Sequence, residues 1–203
     1  MNLHEYQAKE LLKKYKLPVL KGVSYIENLE GIEKDLDNFN SSSWVVKSQI
    51  HAGGRGAGKF KNAFNDKGGI QLVKNKKDVK KIASLMMNNV LITKQTGKEG
   101  KQVRRIYIEE GCEIDREFYL SLLIDRNLSK LMVMLSSSGG IEIEEVAINS
   151  PSKIIYLHFD NFEDILIPNK LIKVLNINNK QFSDLSDIIL KLTNLFNDLD
   201  TSS

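Results

Sequence analysis

Three observations predict an α+β fold arranged as two lobes. Apolar residues recur at helical spacing near both ends of the chain: Leu3, Tyr6, Ala8, Leu11, Leu12 and Tyr15, then Ile188, Ile189, Leu192, Leu195, Phe196 and Leu199. Between them lie short apolar runs of strand length, separated by turns rich in Gly, Asn, Asp and Ser. The texture changes near residue 100, where alternating strands and helices give way to strands in succession. This break places a small lobe at 21–103 and a larger one at 1–20 with 104–203.

The elements follow in order. A helix over 3–15 ends at Leu17-Pro18, because the residue before a proline avoids the helical region. Residues 19–25 read as extended and 29–39 as a weak helix; after the turn at Ser41–Ser43, Trp44-Val45-Val46 is a strand. A glycine loop follows, then strands at 60–64 and 70–73, a helix at 78–87 and a strand at 90–93. Thr96 to Gln102 is polar, carries two glycines and reads as a mobile loop. Strands at 105–111, 116–124, 131–135 and 140–146 are expected to form one consecutive antiparallel sheet, with Asp125-Arg126-Asn127 as a hairpin turn. Helices come after 168, the last at 185–199. No strand follows that helix, so the chain is expected to be truncated, leaving Leu192, Leu195, Phe196 and Leu199 partly exposed and the segment mobile.

Composition narrows the function classes. Hydrophobic residues at 41% and charged residues at 27% describe an ordinary globular chain, and a net charge of +3 is mild. Lysines are interleaved with acids, as around Asp78, rather than gathered into the basic face of a nucleic-acid binder. No apolar run approaches the ~20 residues of a membrane span. The start lacks a basic region followed by an apolar one, so no secretory signal is expected. A single cysteine, Cys112, excludes an intramolecular disulfide and any multi-cysteine metal site, and suits a reducing compartment.

The strongest chemical signal runs from Val45 to Lys59. A strand delivers Lys47, and Gly53, Gly54, Gly56 and Gly58 follow with Arg55 and Lys59 among them. Glycines let backbone N–H groups approach an anion, and the cations add charge, so the segment reads as a polyphosphate cradle. It is neither a Walker A loop nor a dinucleotide fingerprint. His51 either reaches the same phosphates or packs beneath the loop, the second being favoured. Glu109 and Glu117 flank a polar crossing; such carboxylates accept ribose hydroxyls or simply decorate a surface. Cys112 has no histidine nearby in sequence to act as a base. Glu142 and Glu144 share a face if 140–146 is a strand, a face expected to meet solvent. His4 and His158 form no evident constellation, and no residue is assigned a catalytic or metal-binding role.

Several motifs carry a family resemblance. Met1-Asn2-Leu3-His4-Glu5-Tyr6-Gln7-Ala8-Lys9, Trp44-Val45-Val46-Lys47 and His51-Ala52-Gly53-Gly54-Arg55-Gly56 resemble the β subunit of succinyl-CoA synthetase, the ADP-forming succinate–CoA ligase. Val90 to Gln95, Ile106 to Glu109, Asp125-Arg126 and Gly139 to Glu144 fit the same pattern, in register over nearly the whole chain. Malate–CoA ligase and ATP-citrate lyase share much of it. The resemblance implies an ATP-grasp fold, in which two lobes clamp ATP or ADP. It implies phosphate contacts from Lys47, Gly54, Arg55 and Gly56, and nucleotide contacts from Glu109, Cys112 and Glu117. It further implies an α subunit as partner, carrying a phosphohistidine and the CoA site, with succinate and CoA as substrates. The family's Mg²⁺ ligands and its C-terminal α/β domain would lie beyond residue 203, so this portion alone is expected to be inactive. A bacterial cytoplasmic location is expected, the mitochondrial matrix less so because no transit peptide is seen. A non-catalytic module retaining only the fold is the alternative from a different class.

Overall fold

The structure is a computed structural model, and it describes residues 3–140, 143–162 and 165–200. The chain divides into two compact units. Unit 1 comprises the residues through Leu11 together with Pro18–Glu113; unit 2 comprises Leu12–Leu17 and the residues from Ile114 onward. Helix α1 (Glu5–Lys14) contributes its first residues to unit 1.

Unit 1 continues with β1 (Gly22–Ile26), α2 (Ile32–Asp37), β2 (Trp44–Ser48), a 3-10 turn at Arg55–Ala57, β3 (Lys59–Phe60) and β4 (Ile70–Val73). Then come α3 (Lys76–Met86), β5 (Val90–Ile92), β6 (Lys101–Gln102) and β7 (Arg105–Glu110). The main sheet has the order β1-β7-β2-β4, every pair antiparallel; β3, β5 and β6 make a small second sheet. Asn75 caps α3 by accepting a hydrogen bond from the Lys77 N–H. That helix buries Val79, Ala83 and Met86, a stripe at spacing four and three, in one core with Ile32, Leu36, Val46, Ile106 and Ile108.

The pleat gives the sheet two distinct faces. Trp44, Val46 and Ser48 alternate with Val45 and Lys47 along β2, and Ile106 and Ile108 alternate with Tyr107 and Glu109 along β7. Lys47 pairs with Tyr107 and Val45 with Glu109, so Lys47 and Glu109 are diagonal neighbours on the face opposite the core.

Unit 2 is a meander, β8 (Tyr119–Asp125), β9 (Lys130–Ser136) and β10 (Ile154–Phe159), in the order β10-β9-β8. Helix α4 (Ile143–Asn149) and a 3-10 turn at Pro151–Lys153 separate β9 from β10, and α5 (Lys170–Leu175) and α6 (Asn179–Asp198) follow. Leu131, Val133 and Leu135 of β9 face Leu171, Leu175, Ile189 and Phe196 in a single core. The β8–β9 turn is set by Asp125, whose carboxylate accepts from the N–H groups of Asn127 and Leu128 at 3.0 and 3.2 Å. A reciprocal cap between Asn178 and Gln181 starts α6.

Several expectations are corrected. Strand 105–110 does not begin the later antiparallel sheet: it is inserted between β1 and β2, and the unit boundary falls after Glu113 instead of near 103. The start of α1 goes with unit 1, where its charged side chains find their partners. Ile143 to Val146 is helical, because Ile143, Val146 and Ala147 repeat at helical spacing within a run too short to distinguish the two periods. Glu144 therefore lies on a helix, while Glu142 falls outside the described residues. The last helix starts at Asn179, six residues earlier than expected, and Phe196 is buried.

Candidate functional site

The charged face of the unit 1 sheet holds a ring of alternating charge. Lys47 projects from β2 and pairs with Glu5 at 2.8 Å and with Glu109. Lys9, one helical turn after Glu5, pairs with Glu109 and lies 3.6 Å from Glu5. The ring thus runs Glu5, Lys47, Glu109, Lys9, with two members from α1 at i,i+4 spacing and two from adjacent strands. The ammonium of Lys9 also sits 5.3 Å from the centre of the Tyr107 ring.

Arg55 joins the ring from the glycine loop. One amino group donates to Glu5 at 2.9 Å and the other to the Ser48 carbonyl at 2.8 Å. Gln49 donates to the same Glu5 oxygen at 3.4 Å. The loop owes its path to Gly54, which sits at φ 69° just before the 3-10 turn, in the left-handed region that glycine enters without strain. The N–H of Gly53 is held by Gln95 at 2.7 Å and that of Gly69 by the Arg55 carbonyl at 2.8 Å, while the Cβ direction of Gly56 is open. Backbone at Gly54–Gly56 is therefore fixed from both sides and approachable at its centre.

Shielding gives these charges their strength. The side chain of Glu109 is only 4% exposed and that of Lys47 15%. Burial opposes ionisation of Glu5, but hydrogen bonds and charge from Lys47, and then Arg55, override it and bring its pKa down to about 2. Burial likewise works against the charge of Lys47, and its bonds to Glu109 and Glu5 win, raising its pKa. The Tyr107 hydroxyl is pushed up by burial and by Glu109 and Glu5. His4 is lowered to about 4 by burial, with His51, Arg105 and Arg55 adding positive charge. Its ring stacks on His51 at 3.8 Å, so the two histidines do form a pair that sequence spacing did not reveal, and His51 packs against the start of α1.

The structure brings Lys47, Gly54, Arg55, Gly56 and Glu109 together in unit 1. Both Glu109 oxygens are taken, one by Lys47 and one by Lys9. Cys112 is exposed just beyond β7 in the same unit. Glu117 belongs to unit 2 and is exposed; its carbonyl accepts from the Gly139 N–H at 3.1 Å, at a turn where Gly140 has φ 71°. The other histidine, His158, pairs with Asp125 at 3.1 Å on the surface. Sequence reasoning missed Glu5, Lys9, Gln49 and Gln95. All four lie in segments singled out above, and Glu5 and Lys9 stand at i,i+4 spacing, but neither signal says that this helical face meets a sheet. Among the described residues, no group of three or more His, Cys, Asp or Glu is placed to hold a metal ion.

Two sheets with a cation-bearing glycine loop off the end of a central strand define a class, and the ATP-grasp domain family matches residues 2–203. The chain belongs to that family. Its curated relatives include the β subunit of ADP-forming succinate–CoA ligase from Paramagnetospirillum magneticum, 52% identical over 165 residues, which are 80% of this chain and 41% of that protein. The subunit of the same name from Rhodopseudomonas palustris is 44% identical over 199 residues, 97% of this chain and 50% of that protein. The chain therefore spans half the length of these relatives or less. Among solved structures, ATP citrate lyase from Methanosaeta concilii in complex with (3S)-citryl-CoA aligns with TM-score 0.61 at 14% identity, over 97% of this chain and 42% of that one. ACD1 from Ca. Korarchaeum cryptofilum in complex with coenzyme A aligns with TM-score 0.54 at 16% identity, over 95% of this chain and 79% of that one. At such identities these two likenesses show the fold. No helix among the described residues is long and apolar enough to cross a membrane.

Proposed function

We propose that this chain is the nucleotide-binding part of a succinate–CoA ligase β subunit, and that Lys47 and Arg55 grip the polyphosphate of ATP or ADP. The observation that carries this reading is the convergence of both cations on one carboxylate, at 2.8 and 2.9 Å. A lysine from a strand end and an arginine from a glycine loop, both able to reach a single anionic group, are spaced for phosphate oxygens. Gly54–Gly56 add backbone donors, and the open side of Gly56 admits a ligand. Glu109, Cys112 and Glu117 serve the nucleoside side in this reading.

The whole subunit, with its α partner, would convert succinate, CoA and ATP to succinyl-CoA, ADP and phosphate through a phosphohistidine on the α subunit, in the cytoplasm. The relatives' name supports the substrate and the adenine nucleotide. Mg²⁺ offsets charge on a transferring phosphoryl group. Among the described residues no group of three or more His, Cys, Asp or Glu is gathered for that ion, and no residue is assigned to it. Calorimetry with ADP, ATP and GDP tests the reading. Binding of ADP that is lost at least tenfold in Lys47→Ala and in Arg55→Ala supports it. Equal binding by wild type and the double variant, or a GDP affinity tenfold above that for ADP, overturns it or its base preference.

A further inference from the structure

The geometry points to Glu5 as a positioning residue of the polyphosphate site: its carboxylate sets the spacing and direction of Lys47 and Arg55. The inference rests on the phosphate reading above and adds a residue that no motif of the glycine loop contains. Lysine and arginine side chains are among the richest in rotamer freedom, and an anion that orders them must bear that entropic cost. Here Glu5 orders them in advance. One oxygen meets the Lys47 ammonium at 2.8 Å and the other meets Arg55 at 2.9 Å, so the width of a single carboxylate fixes the distance between the two cations. Glu5 is itself held, because it stands on α1 with Lys9 one turn away and Gln49 donating to it.

Donor bookkeeping shows that both cations keep capacity for a ligand. An ammonium has three N–H donors. Glu5 and Glu109 account for two on Lys47. A guanidinium has five in a planar fork. Glu5 and the Ser48 carbonyl account for two on Arg55 and pin the plane of the fork. Charge points the same way: Lys9, Lys47 and Arg55 outnumber Glu5 and Glu109, so the cluster stays cationic. The opposing view is that Glu5 merely competes with phosphate for the cations. The two views differ in sign, since neutralising a competitor tightens ATP binding and neutralising a positioner weakens it.

The test is a calorimetric titration of the full chain as wild type, Glu5→Gln and Glu5→Asp, each with ATP and with adenosine. Glu5→Gln is expected to weaken ATP binding at least tenfold while adenosine affinity changes less than threefold. Glu5→Asp retains the charge but withdraws it by one methylene, and should show a smaller loss confined to ATP; it carries the test if Glu5→Gln does not fold. Wild type that binds ATP alongside variants that bind it equally or more tightly overturns the role of Glu5 and leaves the phosphate reading standing. Parallel losses for ATP and adenosine mark a general structural role and also overturn it. Wild type that binds no ATP overturns the phosphate reading and this role with it.

Discussion

The sheets of the two units use their faces differently. In unit 1, Val46, Ile106 and Ile108 line an apolar core on one side, while Lys47, Tyr107 and Glu109 turn to the other side and meet Glu5 and Lys9. In unit 2, Leu131, Val133 and Leu135 pack with Leu171, Ile189 and Phe196. The charge pairs of unit 2 lie at the surface, as with Lys130–Asp160, Lys180–Asp184 and Lys191–Asp187. Exposed pairs of this kind contribute about 0–1 kcal/mol each. A shielded ring is different: each member costs energy to bury, and removing one strands its neighbours. Unit 2 is thus held by apolar burial, while unit 1 adds a charge network whose worth depends on every member being present.

The sharpest way to break this contrast is to attack each unit by its own means. Phe196→Ala should destabilise unit 2 by about 3–5 kcal/mol through a cavity in its core, with no dependence on salt, as read by urea unfolding at two ionic strengths. Lys47→Ala should cost unit 1 about 2 kcal/mol, because Glu109 keeps Lys9 and Glu5 keeps both Arg55 and Lys9, and this loss should shift with salt and pH. If Lys47→Ala proves neutral, the ring is decoration.

Acid also acts on the two units differently. His4 is held near 4 against an ordinary 6.5, so below pH 6.5 the unfolded chain takes up a proton that the folded chain refuses, and stability falls until about pH 4. Glu5 is held near 2 against 4.5, so its contribution is whole above pH 4.5 and drains away as pH falls toward 2. Amide exchange in β2 and β7 should therefore accelerate between pH 6.5 and 4, after correction for intrinsic rates, while β8 and β9 hold. In unit 2 the Asp125 carboxyl is lowered, chiefly by the Leu128 N–H, and its effect is confined to pH below its ordinary 3.8. His4→Gln should remove the first step in unit 1; a step that survives it belongs to another group. The smallest expected effect is Asn178→Ala, about 1 kcal/mol from the lost cap of α6, seen as a lower melting temperature with ligand affinity untouched.

What could be read from sequence follows the range of the interactions. The hairpin around Asp125 was legible because its turn chemistry and both strands are contiguous. The glycine loop and the lysine feeding it were legible for the same reason, and so were most individual strands. The place of β7 was not, since nothing in Arg105–Glu110 states that its partners are residues 22–26 and 44–48. Strand β10 went unread: Ile154–Phe159 follows a helix and a 3-10 turn with no hairpin signal to announce it. Lys47, Arg55 and Glu109 could be named singly, but their convergence is a product of register and of α1 lying across that face. The meeting of Glu5 with Lys47 and Arg55 was not legible, because a glutamate in the first turn of a helix is ordinary.

The position of β7 also has a consequence for how the chain is made. Among the described residues, strand β1 has β7 as its sole neighbour in the sheet. During synthesis from the N-terminus, Ile26 emerges roughly eighty residues before its partner Arg105, a delay of about 4–16 s at ordinary elongation rates. For that interval β1 has no sheet to join, and β2 can pair only with β4. Until Arg105–Glu110 is made, β1 and one edge of β2 lack their partner, and the arrival of those six residues joins the two strands in one step.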